Sequence, residues 1–318
     1  MISAAERARR AERGGGSRRA PVALLAPGLV ALAFLIVPLV GLVVRAPWGR
    51  LTSILRTGDV SSALWLSLWT STVATGIALA IGVPLAWLLA RTAVPGLRVV
   101  RALVTLPLVL PPVVGGVALL LAFGRNGIVG RLLDDWFGIT IPFTPVAVVL
   151  AETFVAMPFL IITVEGALRS ADQGYEEAAA TLGAGRLSVF RRVTLPLVGP
   201  SLAAGAVLCW ARAIGEFGAT ITFAGSFPGR TQTMPIQVYF ALETDPDAAI
   251  ALSLVLLLVS VWPGKLPAKV IVAPNSPSAR AQHSTAPAPT AGAMRGRVTR
   301  RNTVIRVAPS VAAASSKP

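Results

Sequence analysis

The sequence predicts an all-α membrane protein of six transmembrane helices, on three observations. Hydrophobic residues make up 54% of the 318-residue chain and charged residues only 14%, against about 25% charged in an ordinary soluble domain. The apolar residues gather into six runs separated by polar stretches. The basic residues behind the net charge of +15 collect at the termini and in short loops, the distribution that orients a membrane protein with its positive side inward. They are not interleaved with aromatics on one domain, which argues against nucleic acid as a partner. The single cysteine, Cys209, and single histidine, His283, exclude an internal disulfide and a His/Cys metal site. Inside an apolar run, Cys209 reads as a small buried side chain.

Residues 1–20 carry Arg7, Arg9, Arg10, Arg13, Arg18 and Arg19 against Glu6 and Glu12, a basic N-terminus expected on the cytoplasmic side. The run Pro21 to Val44 that follows is too long for a signal peptide and lacks a small-residue cleavage site, so it reads as the first span. The second span, about Ser61 to Ala90, ends at Arg91, Arg98 and Arg101, a cytoplasmic signature. Arg45, Arg50 and Arg56 run against the rule in the first external loop, but the N-terminal cluster outweighs them. The third span, Ala102 to Phe123, contains Leu-Pro-Leu-Val-Leu-Pro-Pro-Val-Val-Gly-Gly (Leu106 to Gly116). These prolines and glycines predict a kinked or broken helix, tolerated where neighbours or a water-filled path satisfy the freed backbone groups. Arg125 to Ile141, with Asp134 and Asp135, reads as an external loop. The fourth span, about Thr144 to Val164, carries Glu152, expected to be packed or hydrogen-bonded within the bundle.

A polar, charged island then interrupts the apolar text from Glu176 to Pro196. It reads as a helix over Glu176 to Leu182, a break at Gly183 and Gly185, and a second short helix over Leu187 to Val193 that Pro196 ends. Arg169, Arg186, Arg191 and Arg192 place it in the cytoplasm. The fifth span, about Ser201 to Ala224, contains Arg212 and Glu216. An external loop, Gly225 to Pro246, leads to the sixth run, Asp247 to Trp262, which is short of the ~20 residues a crossing needs. Six crossings return the C-terminus to the cytoplasm, where Lys265 and Lys269 agree. Residues 21–262 are thus the transmembrane domain. The tail, 263–318, has nine Lys or Arg and no Asp or Glu, lacks apolar periodicity and reads as disordered. Its abrupt change of composition points to a segment foreign to the fold, as a shifted reading frame would produce.

Within the island, Glu177-Ala178-Ala179, three residues, Gly183, nine residues and Val193-Thr194-Leu195-Pro196 resemble the cytoplasmic signature of permease subunits of ABC importers. Val193 stands where that family usually has isoleucine. The resemblance covers about Val22 to Val261 and implies the type I ABC importer permease fold. It also implies that the loop carries coupling helices seated on a separate ATP-hydrolysing subunit. The residues agree independently: Ala178 and Ala179 permit close approach, and Gly183 permits a sharp bend. Ala211 to Pro235, Ala-Arg-Ala-Ile-Gly-Glu-Phe-Gly-Ala-Thr-Ile-Thr-Phe-Ala-Gly-Ser-Phe-Pro-Gly-Arg-Thr-Gln-Thr-Met-Pro, is similar to the corresponding region of molybdate permeases, as is the proline-rich third span. Sulfate permeases share the Gly-Glu-Phe-Gly-Ala core, so a sulfate or thiosulfate importer permease is the alternative. A channel or scaffold independent of ATP lies further off.

Arg212 and Glu216, four residues apart, share a helix face and can pair; ionisable groups at this depth are functional positions by default. Gly215 and Gly218 flank Glu216 and would admit a neighbouring helix, with Thr220 one turn on. The face suits a translocation path or its gate, and equally an ion pair that fixes packing. Glu216, a carboxylate, is expected to orient Arg212 and not to touch an anion. In the external loop Ser226, Arg230, Thr231, Gln232 and Thr233 offer donors to a delivering protein or an emerging oxyanion. The chain holds no G-x-x-x-x-G-K-[ST] and no hydrolase constellation, so it is expected to be no enzyme, to bind no cofactor and to leave ATP-Mg to its partner. The resemblance further implies a homodimer in the plasma or inner membrane, among lipid, served by an extracytoplasmic molybdate-binding protein.

Overall fold

A computed structural model of the protein describes residues 22–93 and 95–261. The basic segment 1–20 and the tail 263–318, with the expectations placed on them, lie outside the described residues. The described residues form a succession of helices and no strand.

Helix α1 (Val22–Val44) realises the first apolar run with Pro27 and Pro38 inside it; no residue of its apolar window is buried by the protomer. A short α2 (Leu51–Leu55) leads to α3, a continuous helix of 34 residues, Gly58–Arg91. Asp59 in its first turn and Arg91 in its last complement the helix dipole. It includes a π turn at Ala78–Gly82.

The third run breaks where its prolines cluster. Helix α4 (Leu97–Val109) and α5 (Pro112–Phe123) meet at 119°. Leu110 and Pro111 both precede a proline and are pushed to extended backbone, ψ 133° and 134°. Pro112 then opens α5 at a position that needs no N–H. The stretch read as an external loop, Arg125 to Ile141, is corrected: it holds α6 (Ile128–Phe137), which exposes Ile128, Leu132 and Trp136 along one stripe. Apolar residues spaced by four on one side are the pattern of a helix lying in the membrane interface.

Helix α7 (Pro145–Ser170) is the centre of the fold, with 61% of its apolar window buried. Thr144 caps it by accepting the Ala147 N–H at 3.3 Å, and Pro145 follows as the first helical residue. After α8 (Gly174–Thr181), α9 runs unbroken through Arg186–Ile214, passing a π turn at Phe190–Thr194. Two expectations are corrected here. Pro196 does not end a short helix, because the wider π turn just before it accommodates the ring and the missing donor. The fifth apolar run is not one helix from Ser201 to Ala224 either; it stops at Ile214 and resumes as α10 (Gly218–Ala224).

The stretch Gly225 to Pro246, read as an external loop, is partly helical. Helix α11 (Met234–Thr244) occupies half of it, and α12 (Pro246–Val261) follows. Its 16 residues are a shorter apolar helix than a crossing requires. By length and apolarity, four described helices are able to cross a membrane (α1, α3, α7 and α9), or five if the α4–α5 pair counts as one.

Three apolar clusters hold these elements. One joins α3, α7 and α9 around Ala86, Leu89, Leu160, Ile161 and Val164. Another joins α5, α7 and α10 around Leu119, Val148, Val155 and Phe223. The third packs α2 and the start of α3 on α11 and α12 through Val60, Met234 and Leu252. At its edge Arg50 reaches Asp245 (3.1 Å) and Asp247 (3.2 Å). Asp245 caps α12 by accepting the Ala248 N–H; that bond and Arg50 hold its carboxyl below the usual carboxylate range. Because these side chains are more than one-third exposed, water screens the pairs. Arg50→Ala is expected to leave the melting temperature in detergent unchanged.

Candidate functional site

The residues singled out by the sequence fall into two groups at opposite ends of α9. From Pro196 to Arg212 the helix rises by roughly 24 Å at 1.5 Å per residue, so no single site contains both.

At the first end α8 stops at Leu182, and Gly183 takes φ +86°. Its N–H donates to the Ala180 carbonyl at 2.9 Å, and the Ala184 N–H donates to that of Ala179 at 3.1 Å. This is the Schellman termination, which needs a left-handed residue and so selects glycine. Glu177, Ala178 and Gly183 are exposed, Ala179 and Val193 half-buried, and Leu195 half-buried beside exposed Pro196. Two large apolar side chains flank the turn in the open, Leu182 (89% exposed) and Leu187 (69%). The result is a helix, a tight turn and a long helix, presenting small and apolar residues outward.

Three residues the sequence reading passed over anchor this hairpin. Arg91, the last residue of α3, donates from Nη2 to Glu176 Oε1 at 2.9 Å, and Thr194 Oγ1 donates to the same oxygen at 3.0 Å. From the sequence Arg91 reads as a topology charge, Glu176 directly precedes the first signature position, and Thr194 lies between Val193 and Leu195.

At the other end, Glu216 sits in the break between α9 and α10. Its Oε1 accepts the Ala219 N–H at 2.9 Å, and its Oε2 lies 2.6 Å from Arg212 Nη1. The second contact is a charge pair off the hydrogen-bonding direction, since Oε2 has no hydrogen-bond partner. The Glu216 side chain is 1% exposed and that of Arg212 29%. The expected pair therefore forms, although Glu216 has left the helix.

Gly218 earns close approach, as expected: a Cβ there would meet Pro112 Cβ at 2.8 Å. Gly116 interlocks from the other side, where a Cβ would lie 2.7 Å from Thr222 Cβ and 2.8 Å from the Ala219 carbonyl oxygen. Gly215 differs. Only the Ala211 carbonyl oxygen comes within 3.6 Å of its Cβ position, so it is an exposed helix end and no packing surface. Thr220 is fully buried, its hydroxyl without a partner among the described residues.

The loop residues also need correction. Thr231 and Thr233 are buried, not presented outward. Thr231 Oγ1 accepts the Phe227 N–H at 3.0 Å, closing the turn around Gly229. Thr233 begins α11, whose Met234 N–H donates to Ser67 Oγ on α3 at 2.8 Å. Ser226 and Gln232 are half-buried, and of the five only Arg230 is exposed.

Ser67 belongs to a stripe on α3, with Thr70, Ser71 and Thr75, buried against the bundle. Thr70 Oγ1 donates to Glu152 Oε1 at 2.9 Å. Spacing of three and four between small polar residues in an apolar span was the available signal for this face.

Fold and sites together define a polytopic helical membrane protein, with a polar hairpin at one end of a long span and an ion-paired break at the other. The chain belongs to the binding-protein-dependent transport system inner membrane component family, whose model matches residues 82–262. The molybdenum transport system permease protein ModB of Mycobacterium tuberculosis is 50% identical over 234 residues, 74% of this chain and 88% of that protein. Its Escherichia coli counterpart is 44% identical over 209 residues, 63% and 91% of the two chains. The sulfate transport system permease protein CysT of Salmonella typhimurium is 36% identical over 231 residues, 71% and 83%. Among solved structures, a bacterial ABC transporter involved in import of the acidic polysaccharide alginate shares the fold. The TM-score is 0.64 at 18% identity, covering 79% of this chain and 96% of that one.

Proposed function

We propose that the chain is the permease subunit of an ATP-driven molybdate importer. The observation that carries this is the 50% identity to a molybdenum transport permease across 88% of that protein's length. In this reading the protein crosses the membrane six times with both termini in the cytoplasm, the α4–α5 pair and the short α12 counting as one crossing each. Two copies form the pathway at their two-fold axis. The α8–α9 hairpin is the coupling helix, seated on a cytoplasmic subunit that uses ATP-Mg, and an extracytoplasmic binding protein delivers the oxyanion.

The two sites divide the work. Closure of the ATPase subunits draws the hairpins together, and the movement runs along α9 to the break at Gly215–Phe217. There Glu216 holds Arg212, 29% exposed, at the edge of the bundle, a fixed positive charge suited to an anionic cargo. The permease makes and breaks no covalent bond.

Reconstitution with the ATPase and binding protein tests the reading. ATP-dependent uptake of radiolabelled molybdate should persist in excess sulfate; if sulfate abolishes it, the chain is a sulfate permease. Uptake without ATP would instead leave a channel. In the same assay Glu216→Gln keeps an oxygen for the Ala219 N–H but removes the charge facing Arg212. Assembly should survive and uptake fall by about tenfold, the scale of a lost coupling. Wild-type uptake would remove Glu216 and Arg212 from the gate.

A further inference from the structure

We propose that the ion pair between Arg91 and Glu176, with Thr194, is the joint that passes movement of the docking helix α8 to span α3. This rests on the hairpin being the ATPase dock and assigns a second route into the bundle besides α9 itself.

Among the described residues, Glu176 is the one α8 residue whose side chain hydrogen-bonds to another element. Both its partners bind the same oxygen, Oε1. Thr194 comes from the π turn of α9 and is 1% exposed. Arg91 comes from the end of α3, and its side chain is 6% exposed against 18% for Glu176. A charge pair sealed from water to this degree is not weakened by screening as a surface pair is.

The end of α3 is in turn bound to the rest of the bundle. Arg169 Nη2 on α7 and Arg101 Nη2 on α4 both donate to the Leu89 carbonyl, at 3.2 and 3.4 Å. The same two side chains donate from Nε to Glu165 Oε1, each at 3.0 Å. Displacement of α8 that carries Arg91 with it therefore enters α3 where α4 and α7 are tied to it. Farther along, α3 holds Thr70 on Glu152 and Ser67 on the first turn of α11.

The joint is also incompletely satisfied. Arg91 Nε and Nη1 are buried and without a partner among the described residues. Sealed donors of a guanidinium are costly to leave unmade. Such a pose is stable relative to another only while the surrounding helices keep their places, which suits a contact that exchanges partners as the hairpin moves.

The test uses the full complex in liposomes, measuring ATPase retained on co-purification and molybdate imported per ATP hydrolysed. Arg91→Gln and Glu176→Gln should each retain the ATPase at the wild-type level and import about tenfold less per ATP, the range of a coupling between sites. Arg91→Lys, whose ammonium replaces the single Nη2 contact, should restore most of the ratio. The proposal is overturned if the Gln variants couple as wild type does, if they lose the ATPase together with uptake, or if Lys is no better than Gln. Failure of the wild-type chain to retain any ATPase would overturn the docking reading, and this joint with it.

Discussion

Gly183→Pro is expected to separate the permease from its ATPase subunit. The backbone at this position has φ +86°, whereas a proline ring fixes φ near −65°. The change also removes the N–H that donates to the Ala180 carbonyl at 2.9 Å. A misplaced proline costs about 3 kcal/mol, enough to lower the population of the docking-competent turn by about a hundredfold. Co-purification from membranes should recover the permease and lose the ATPase, with circular dichroism unchanged because the spans are untouched. Gly183→Ala, strained at positive φ but keeping the N–H, should fall between the two. Full ATPase recovery with Gly183→Pro would move the dock away from this turn.

Gly116→Leu is expected to destroy uptake from the other end of the molecule. A Cβ at Gly116 lies 2.8 Å from the Ala219 carbonyl oxygen and 3.0 Å from its Cα, and backbone cannot swing aside as a side-chain tip does. Forcing α5 and α10 apart costs about 1–3 kcal/mol for an ordinary overpacked core and more against backbone. It also displaces Ala219, whose N–H holds Glu216. Detergent-solubilised protein should melt at a lower temperature, and uptake should fall below about one-tenth of wild type. Gly76→Leu supplies the control, because no atom beyond its own stretch of helix backbone lies within 4 Å of its Cβ position. Equal damage from both substitutions would show that bulk alone, and not this interlock, is responsible.

What the sequence made legible depended on the range of the interaction. The turn at Gly183 was readable because its determinants are local: Ala179, Ala180 and Gly183 close one turn of backbone. The break in the third run was equally local, since Pro111 and Pro112 set their own neighbours' ψ. The Arg212–Glu216 pair was found from a spacing of four, and it formed although its helix ends at Ile214. Expectations failed where distant residues decide. Thr231 and Thr233 have loop-like surroundings in sequence, yet both are buried, and the neighbouring Met234 N–H is bonded to Ser67 across 167 positions. Arg91 sat where topology alone explained a positive charge, so its partner 85 residues away left no trace. Helix α6 was hidden because Asp134, Asp135 and two flanking glycines resemble a turn, while its apolar stripe of three residues is shorter than the window that reveals a span.

The π turn at Ala78–Gly82 divides α3 into halves with different obligations. One half presents Ser67, Thr70 and Ser71 to the bundle; the other ends at Arg91, next to the Leu89 carbonyl that Arg101 and Arg169 hold. A π turn accommodates one residue more than the α-helical repeat, and one residue corresponds to about 100° of helix rotation. The extra residue therefore sets the angular phase between the two halves. Deleting one residue from Ala78–Gly82 would restore regular helix while turning Thr70 away from Glu152, so the length of this segment is as constrained as its composition.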